Sequence, residues 1–251
     1  MGSRLRQILP STPGDLALQL ALWFGFVFVY QLARGLSDRS PSEAMENGQT
    51  VIDIQRSLHT LVEPDLQRVV VESDVLLQVL NWTYWLSQFA VVGLALLWIY
   101  FFRHHAFARV RNWVITANLI GLVGYVLLPT APPRMFPEEG FIDTLSQSAS
   151  LNHGSSLIEL ASNPYAAMPS LHAADALIIG FALASLVRPR WLKVLWTLWP
   201  TWVWFTVMAT GNHYWLDIAA GVGVAALAAT VLAWVEGRRS EPAPALVERH
   251  G

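Results

Sequence analysis

His213 and Asp217 stand four residues apart in Gly211-Asn212-His213-Tyr214-Trp215-Leu216-Asp217. On a helix this spacing puts both side chains on one face, with Cβ atoms about 5–6 Å apart. The carboxylate can hold one imidazole nitrogen protonated and leave the other as a lone-pair nucleophile. A second imidazole, His172, lies in Ala167-Met168-Pro169-Ser170-Leu171-His172 and is suited to act as general acid. Two histidines in unlike settings can divide these roles, because a neighbouring Asp raises basicity and a helix N-terminus lowers it. Ser170 and the free N–H groups that open the helix after it make an anion seat. Arg134, in Pro129-Thr130-Ala131-Pro132-Pro133-Arg134, can clamp two phosphate oxygens. Nucleophile, acid, orienting carboxylate and anion seat together describe phosphoryl transfer through a phosphohistidine, with no metal or other cofactor required.

The elements that must position these residues are membrane helices. The chain has 251 residues, 54% hydrophobic and only 14% charged, with 12 Trp, against about 25% charged in soluble domains. A bilayer core of about 30 Å needs about 20 largely apolar residues per helix. Six stretches qualify: 16–33, 76–102, 112–129, 170–187, 192–210 and 214–235. The expected fold is therefore all-α, an integral membrane six-helix bundle in a single domain over 1–251, with a catalytic core at 112–235. The first run follows Arg4 and Arg6 and exceeds the usual signal-peptide core, so a retained anchor is expected. Residues 237–251 read as a flexible cytoplasmic tail.

Lys and Arg select the cytoplasmic side. One set of connections carries Arg103, Arg109, Arg111, Arg188, Arg190, Lys193, Arg238 and Arg239, while the acidic connections 35–75 and 130–169 alternate with them. Both termini are thus expected in the cytoplasm of an inner (plasma) membrane protein, with His172, His213, Asp217 and Arg134 converging at the outer face. Ionisable groups at a membrane span cost several kcal/mol on insertion scales and mark function by default. In the outer loop 35–75, Val51, Ile54, Leu58 and Leu61 recur at helical spacing. They predict an amphipathic helix that either lies on the headgroups or shapes a lipid entrance.

The net charge of −2 offers no field for nucleic acid, and the absence of Cys excludes disulfides, thiol catalysis and zinc-thiolate sites. Asp175, three residues after His172, either orients it, binds an acceptor hydroxyl or bonds a neighbouring helix. Asn163 and Tyr165 either contact a headgroup or order their loop. Gly221 and Gly223 are expected at close helix contacts, and the Trp cluster from 196 to 204 is expected to pack or anchor its span.

The motif residues resemble the type 2 phosphatidic acid phosphatase superfamily, over about residues 112–235. That family has Lys, six residues, Arg-Pro; then Pro-Ser-Gly-His; then Ser-Arg, five residues, His, three residues, Asp. Here the second part reads Pro169-Ser170-Leu171-His172, and the third keeps His213 and Asp217. With Arg134 as the first arginine, the lysine position is Leu127, the proline is Met135, and Ser-Arg is Thr206-Val207. Two phosphate-binding cations are therefore absent, which weighs against simple monoester hydrolysis. Pro-Ser-Leu-His and His-Tyr-x-x-Asp are similar to the branch containing inositol phosphorylceramide synthases, which move a phosphorylated headgroup from one lipid to an acceptor alcohol. The resemblance implies His213 as nucleophile, Asp217 as its partner, His172 as acid, and Ser170 and Arg134 as phosphate contacts. The substrate implied is a phospholipid or polyprenyl phosphate. Water as acceptor gives a phosphatase; an alcohol such as inositol gives a transferase. The rival from another class is a non-catalytic lipid transporter or binding protein that uses the His/Asp pair as a proton relay. Oligomeric state is not encoded in any of these features.

Overall fold

A computed structural model describes residues 10–36, 41–144 and 164–240, the side chains of 31–36 and 239–240 excepted. Asn163 and the tail beyond Ser240 lie outside the described residues. The described chain is helical, with one isolated bridge between Thr130 and Ala166. Helix α1 is Pro13–Leu36, α2 Pro41–Ser57, α3 Glu63–Val71, α4 Asp74–Phe102, α5 His104–Leu127, α6 Leu171–Leu186, α7 Arg190–Ala209 and α8 Trp215–Ser240. Short 3-10 turns, Pro133–Met135 and Pro137–Glu139, follow α5. The expected six-helix membrane bundle is present as α1 and α4 to α8, with α2 and α3 as additional helices between α1 and α4. Four of the helices, α1, α4, α5 and α8, contain stretches long and apolar enough to cross a membrane, and α6 is a shorter apolar helix.

Helix α6 is the centre. Its 16 residues span about 24 Å at 1.5 Å per residue, and Leu171, Ala173, Ala174, Ile178 and Ile179 are all buried. A helix apolar all round belongs inside other helices, and α5, α7 and α8 pack around this one. Helix α1 packs on α5 and leaves Phe24, Phe28 and Val29 exposed, as a lipid-facing surface would.

Small residues set how closely these helices approach. A Cβ on Gly221 would sit 2.2 Å from the Ser170 carbonyl oxygen, so only glycine lets α8 reach the start of α6. Gly223 meets nothing within 4 Å: its expected contact is not made, because two residues on it points to a different side of α8. In α7, Pro200 cannot donate to the Trp196 carbonyl one turn earlier. Gly180 of α6 faces that freed carbonyl, which would lie 2.7 Å from a Cβ there.

The basic connections gather at one end of the bundle. Arg103 Nε donates to the Leu186 carbonyl (3.1 Å), joining the α4–α5 and α6–α7 connections, and Arg109 faces Glu236 of α8 at 3.9 Å. The opposite end carries α2, α3 and the turns after α5. The amphipathic helix exists there as α2, but its register corrects the expected stripe. Ala44, Gly48, Val51, Ile52 and Gln55 are buried, whereas Ile54 and Leu58 are exposed. The reason is a protein partner: the face packs on Ala131 and Phe136, and a Cβ on Gly48 would stand 2.8 Å from the Ala131 carbonyl oxygen. This contact selects small residues over large aliphatic ones.

Candidate active site

The chain before α6 and the chain before α8 meet at the non-basic end. Ser170 opens α6 as its N-cap, its Oγ accepting from Ala173 N–H at 3.3 Å. The Ser170 N–H donates to the Asp217 carbonyl oxygen (2.9 Å), which ties the two helix starts together. Ser170 is fully buried and off the cavity wall; its hydroxyl organises the helix N-terminus.

Before α8 the chain turns at Gly211, whose φ of +71° suits glycine and where a Cβ would approach Gln67 Nε2 to 2.6 Å. The turn delivers Asn212 and His213, whose N–H groups both donate to the Val207 carbonyl at 3.0 Å. His213 Nδ1 lies 2.9 Å from the Ala167 carbonyl oxygen and 3.3 Å from Asp217 Oδ2. A carbonyl can only accept, so Nδ1 carries a hydrogen, and in the neutral ring the lone pair is on Nε2. Asp217 is itself held, Oδ2 accepting from Tyr214 N–H at 2.9 Å, and the Tyr214 hydroxyl donates to the Ala131 carbonyl (3.2 Å).

His172 faces His213 with ring centroids 5.6 Å apart. Both imidazoles line one cavity, so a phosphoryl group seated beside the pair can meet a nucleophile at about 3–3.5 Å and a proton donor at about 3 Å from its acceptor. Tyr84 of α4 stacks on His172 at 4.5 Å and 20°, fixing the plane of that imidazole. Arg134 reaches the same cavity. Its backbone N–H donates to the Gly211 carbonyl (2.9 Å) and its guanidinium to Asn212 Oδ1 (2.5 Å). Among the described residues it is the one lysine or arginine on the cavity wall.

His213, Asp217, His172 and Arg134 are thus brought together from three distant segments. Of the other sequence candidates, Asp175 and Tyr165 stand apart from the cavity wall. Asp175 is buried in α6 and accepts from Asn118 of α5 (2.8 Å), a bond between helices. Tyr165 packs its ring in the apolar cluster under α2, and its carbonyl accepts from Thr130 N–H (2.8 Å).

Three contributors were not legible as site residues: Tyr84, Gln88 and Asn212. Gln88 lies in the π turn Ser87–Val91 of α4, a feature often found at functional sites, and an amide inside an apolar span was the available signal. A fourth residue acts from farther off. Glu63, fully buried at the start of α3, accepts from Trp215 N–H at 2.7 Å and from Gln55 Nε2 at 2.8 Å. It places a carboxylate at the N-terminus of α8, where the helix dipole favours negative charge. Burial nevertheless pushes its pKa up from the ordinary carboxyl value, against the lowering effect of the Gln55 and Trp215 hydrogen bonds.

A family model described as the PAP2 superfamily matches residues 49–231. The chain belongs to the PAP2 superfamily. The matched segment runs from within α2 into α8 and contains every residue of the cavity described above. A curated relative, phosphoinositol dihydroceramide synthase of Bacteroides thetaiotaomicron, is 29% identical over 123 residues, which cover 44% of this chain. The chain spans only 40% of that relative's length. No solved structure matches. At the positions where the PAP2 pattern has its further cations, Leu127 is an exposed apolar residue at the end of α5, and Val207 is buried in α7.

Proposed function

We propose that this PAP2 superfamily protein is a membrane enzyme that breaks a phosphoester or pyrophosphate bond of a lipid through a phosphohistidine on His213. The observation that carries this reading is the Ala167 carbonyl and Asp217 carboxylate facing one nitrogen of His213, which assigns the lone pair of the neutral ring to Nε2. In the first half, Nε2 forms a bond to phosphorus, the bond to the leaving oxygen breaks, and His172 gives that oxygen its proton. Arg134, held by Asn212, and the N–H groups at the start of α6 stabilise charge on the equatorial oxygens. In the second half, the oxygen of water or an alcohol attacks phosphorus, His172 takes its proton, and the P–N bond electrons return to Nε2. Within this scheme Ser170 acts by capping α6.

A single guanidinium at the cavity favours a phosphodiester, which carries less charge than a monoester dianion. The name of the Bacteroides relative supports transfer of a phosphorylated headgroup, with a phospholipid or polyprenyl phosphate as donor and a small alcohol such as inositol as partner. The basic end of the bundle supports an inner-membrane orientation with both termini cytoplasmic and the cavity facing outward. The proposed core, 112–235, is completed by Tyr84 and Gln88.

The deciding experiment supplies the purified protein, with EDTA present, with labelled phospholipids and polyprenyl phosphates, with and without inositol or other alcohols. Phosphate release identifies hydrolysis; a new phospholipid that appears only with alcohol identifies transfer. Unchanged turnover in His213→Ala, or indifference to vanadate, which mimics pentacoordinate phosphorus, would remove the phosphohistidine reading. Lipid movement without covalent change would establish a transporter instead.

A further inference from the structure

Gln88 is the one carboxamide of α4 on the cavity wall. It is only 6% exposed, yet its side chain makes no hydrogen bond with any described residue. Its amide therefore faces the cavity, whereas other carboxamides near the site are engaged: Gln67 bonds Ile142 through both N and O, Asn81 bonds Thr144, and Asn212 bonds Arg134 and Thr210. Its placement is also particular. The π turn Ser87–Val91 carries Gln88, and Tyr84, one turn earlier on the same helix, stacks on His172 and lines the same cavity.

The chemistry of the group narrows what it binds. A phosphate oxygen only accepts, and Arg134 already offers it donors. A carboxamide offers a donor and an acceptor side by side, which match neighbouring hydroxyls, one accepting from the NH₂ and the other donating to the oxygen. We propose that Gln88 is the polyol seat of this site, binding vicinal hydroxyls of an alcohol next to the phosphoryl group. The polyol is either the headgroup esterified to phosphate in the donor lipid or the free acceptor. This rests on the phosphotransfer reading above. When the polyol is the acceptor, one of its remaining hydroxyls forms the new O–P bond, the P–N bond to His213 breaks, and His172 takes the hydroxyl proton, while Gln88 holds the neighbouring pair.

The test uses the full chain in liposomes, with Gln88→Met, which keeps length and removes polarity, and Gln88→Asn, which keeps the carboxamide but shortens its reach. Two donors, phosphatidylinositol and phosphatidylcholine, are each paired with water alone and with inositol, and the labelled phosphoenzyme is trapped by rapid quench. With the headgroup as ligand, Gln88→Met loses about tenfold in the preference for phosphatidylinositol over phosphatidylcholine. With the acceptor as ligand, it raises the KM for inositol about tenfold, while phosphoenzyme forms from either donor within about twofold of the parent. Tenfold is the size that one or two neutral hydrogen bonds supply. Gln88→Asn falls between Met and the parent in either case. Equal donor preference and equal inositol KM in parent and Gln88→Met overturn the polyol seat, as does an equal loss of phosphoenzyme from both donors, which would place Gln88 in the chemistry itself. A parent protein that forms no phosphoenzyme overturns the underlying phosphotransfer reading, and that outcome is visible before any variant is compared.

Discussion

At the scale of single residues, the site turns on which nitrogen of His213 holds the proton. Where a carboxylate alone fixes the tautomer of a catalytic histidine, replacing it with an amide costs about 10⁴-fold, because the ring turns to the wrong tautomer. Here the Ala167 carbonyl stands nearer to Nδ1 than Asp217 does, and a main-chain oxygen survives any side-chain substitution. Asp217→Asn is therefore expected to lose clearly less than about 10⁴-fold in kcat. Under the proposed mechanism His213→Ala is expected to abolish the phosphoenzyme altogether, and His172→Ala to lose about 10²–10⁴-fold, the range for a missing general acid. Rapid-quench measurement of phosphoenzyme formation and decay separates these outcomes. Asp217→Asn as damaging as His213→Ala would mean that the carbonyl does not hold the ring.

At the scale of elements, the site depends on how α6 and α8 begin. Gly221→Val is expected to reduce activity by more than tenfold, since its Cβ would collide with the Ser170 carbonyl and a packed backbone cannot yield cheaply. Gly223→Ala, where a Cβ meets nothing, should leave activity and thermal stability unchanged. Glu63 gives a pH signature. Its pKa is raised in the folded protein from an ordinary value of 4.5, so between that value and the folded pKa the folded state binds more protons than the unfolded state. Stability then falls as pH rises through this window. Glu63→Gln keeps an acceptor for Trp215 N–H and is expected to flatten this dependence, whereas Glu63→Ala uncaps α8 and lowers the melting temperature at every pH. Thermal unfolding of the detergent-solubilised protein across pH reads both effects.

The same scale explains what could be read without coordinates. His213 and Asp217 lie within one helical turn, and Pro169 to His172 surround a single helix start, so their geometry follows from spacing alone. Arg134 could be placed by topology, because it follows the end of a span whose preceding connection is basic. Tyr84, Gln88 and Glu63 reach the site from other elements, and helix spacing carries no information about which neighbour a face will meet. The α2 register was misread for a related reason. Val51, Ile54, Leu58 and Leu61 show helical periodicity, but the partner is a main-chain carbonyl at Ala131 rather than lipid, and close approach demanded Gly48 and Ala44.

At the scale of the whole molecule, the bundle has two chemically unlike ends, and orientation is the property that ties them to function. Arg103, Arg109, Arg188, Arg190 and Lys193 mark one end, where Arg103 bonds the Leu186 carbonyl and Arg109 meets Glu236. The cavity and helices α2 and α3 mark the other. Excess Lys and Arg in short connections favours cytoplasmic retention, so the cavity is expected to open outside the cell's inner membrane, where it reaches the outer leaflet. The chain has no Cys, which makes single introduced thiols unambiguous reporters. Val69→Cys, at an exposed site on α3, should react with a membrane-impermeant maleimide in intact spheroplasts, while His105→Cys, exposed at the start of α5, should react only after lysis. The reverse pattern would put His172 and His213 on the cytoplasmic side, and under the proposed function the donor lipid would then have to be one presented in the inner leaflet. Labelling of both positions before lysis would contradict a bundle whose two ends face different compartments.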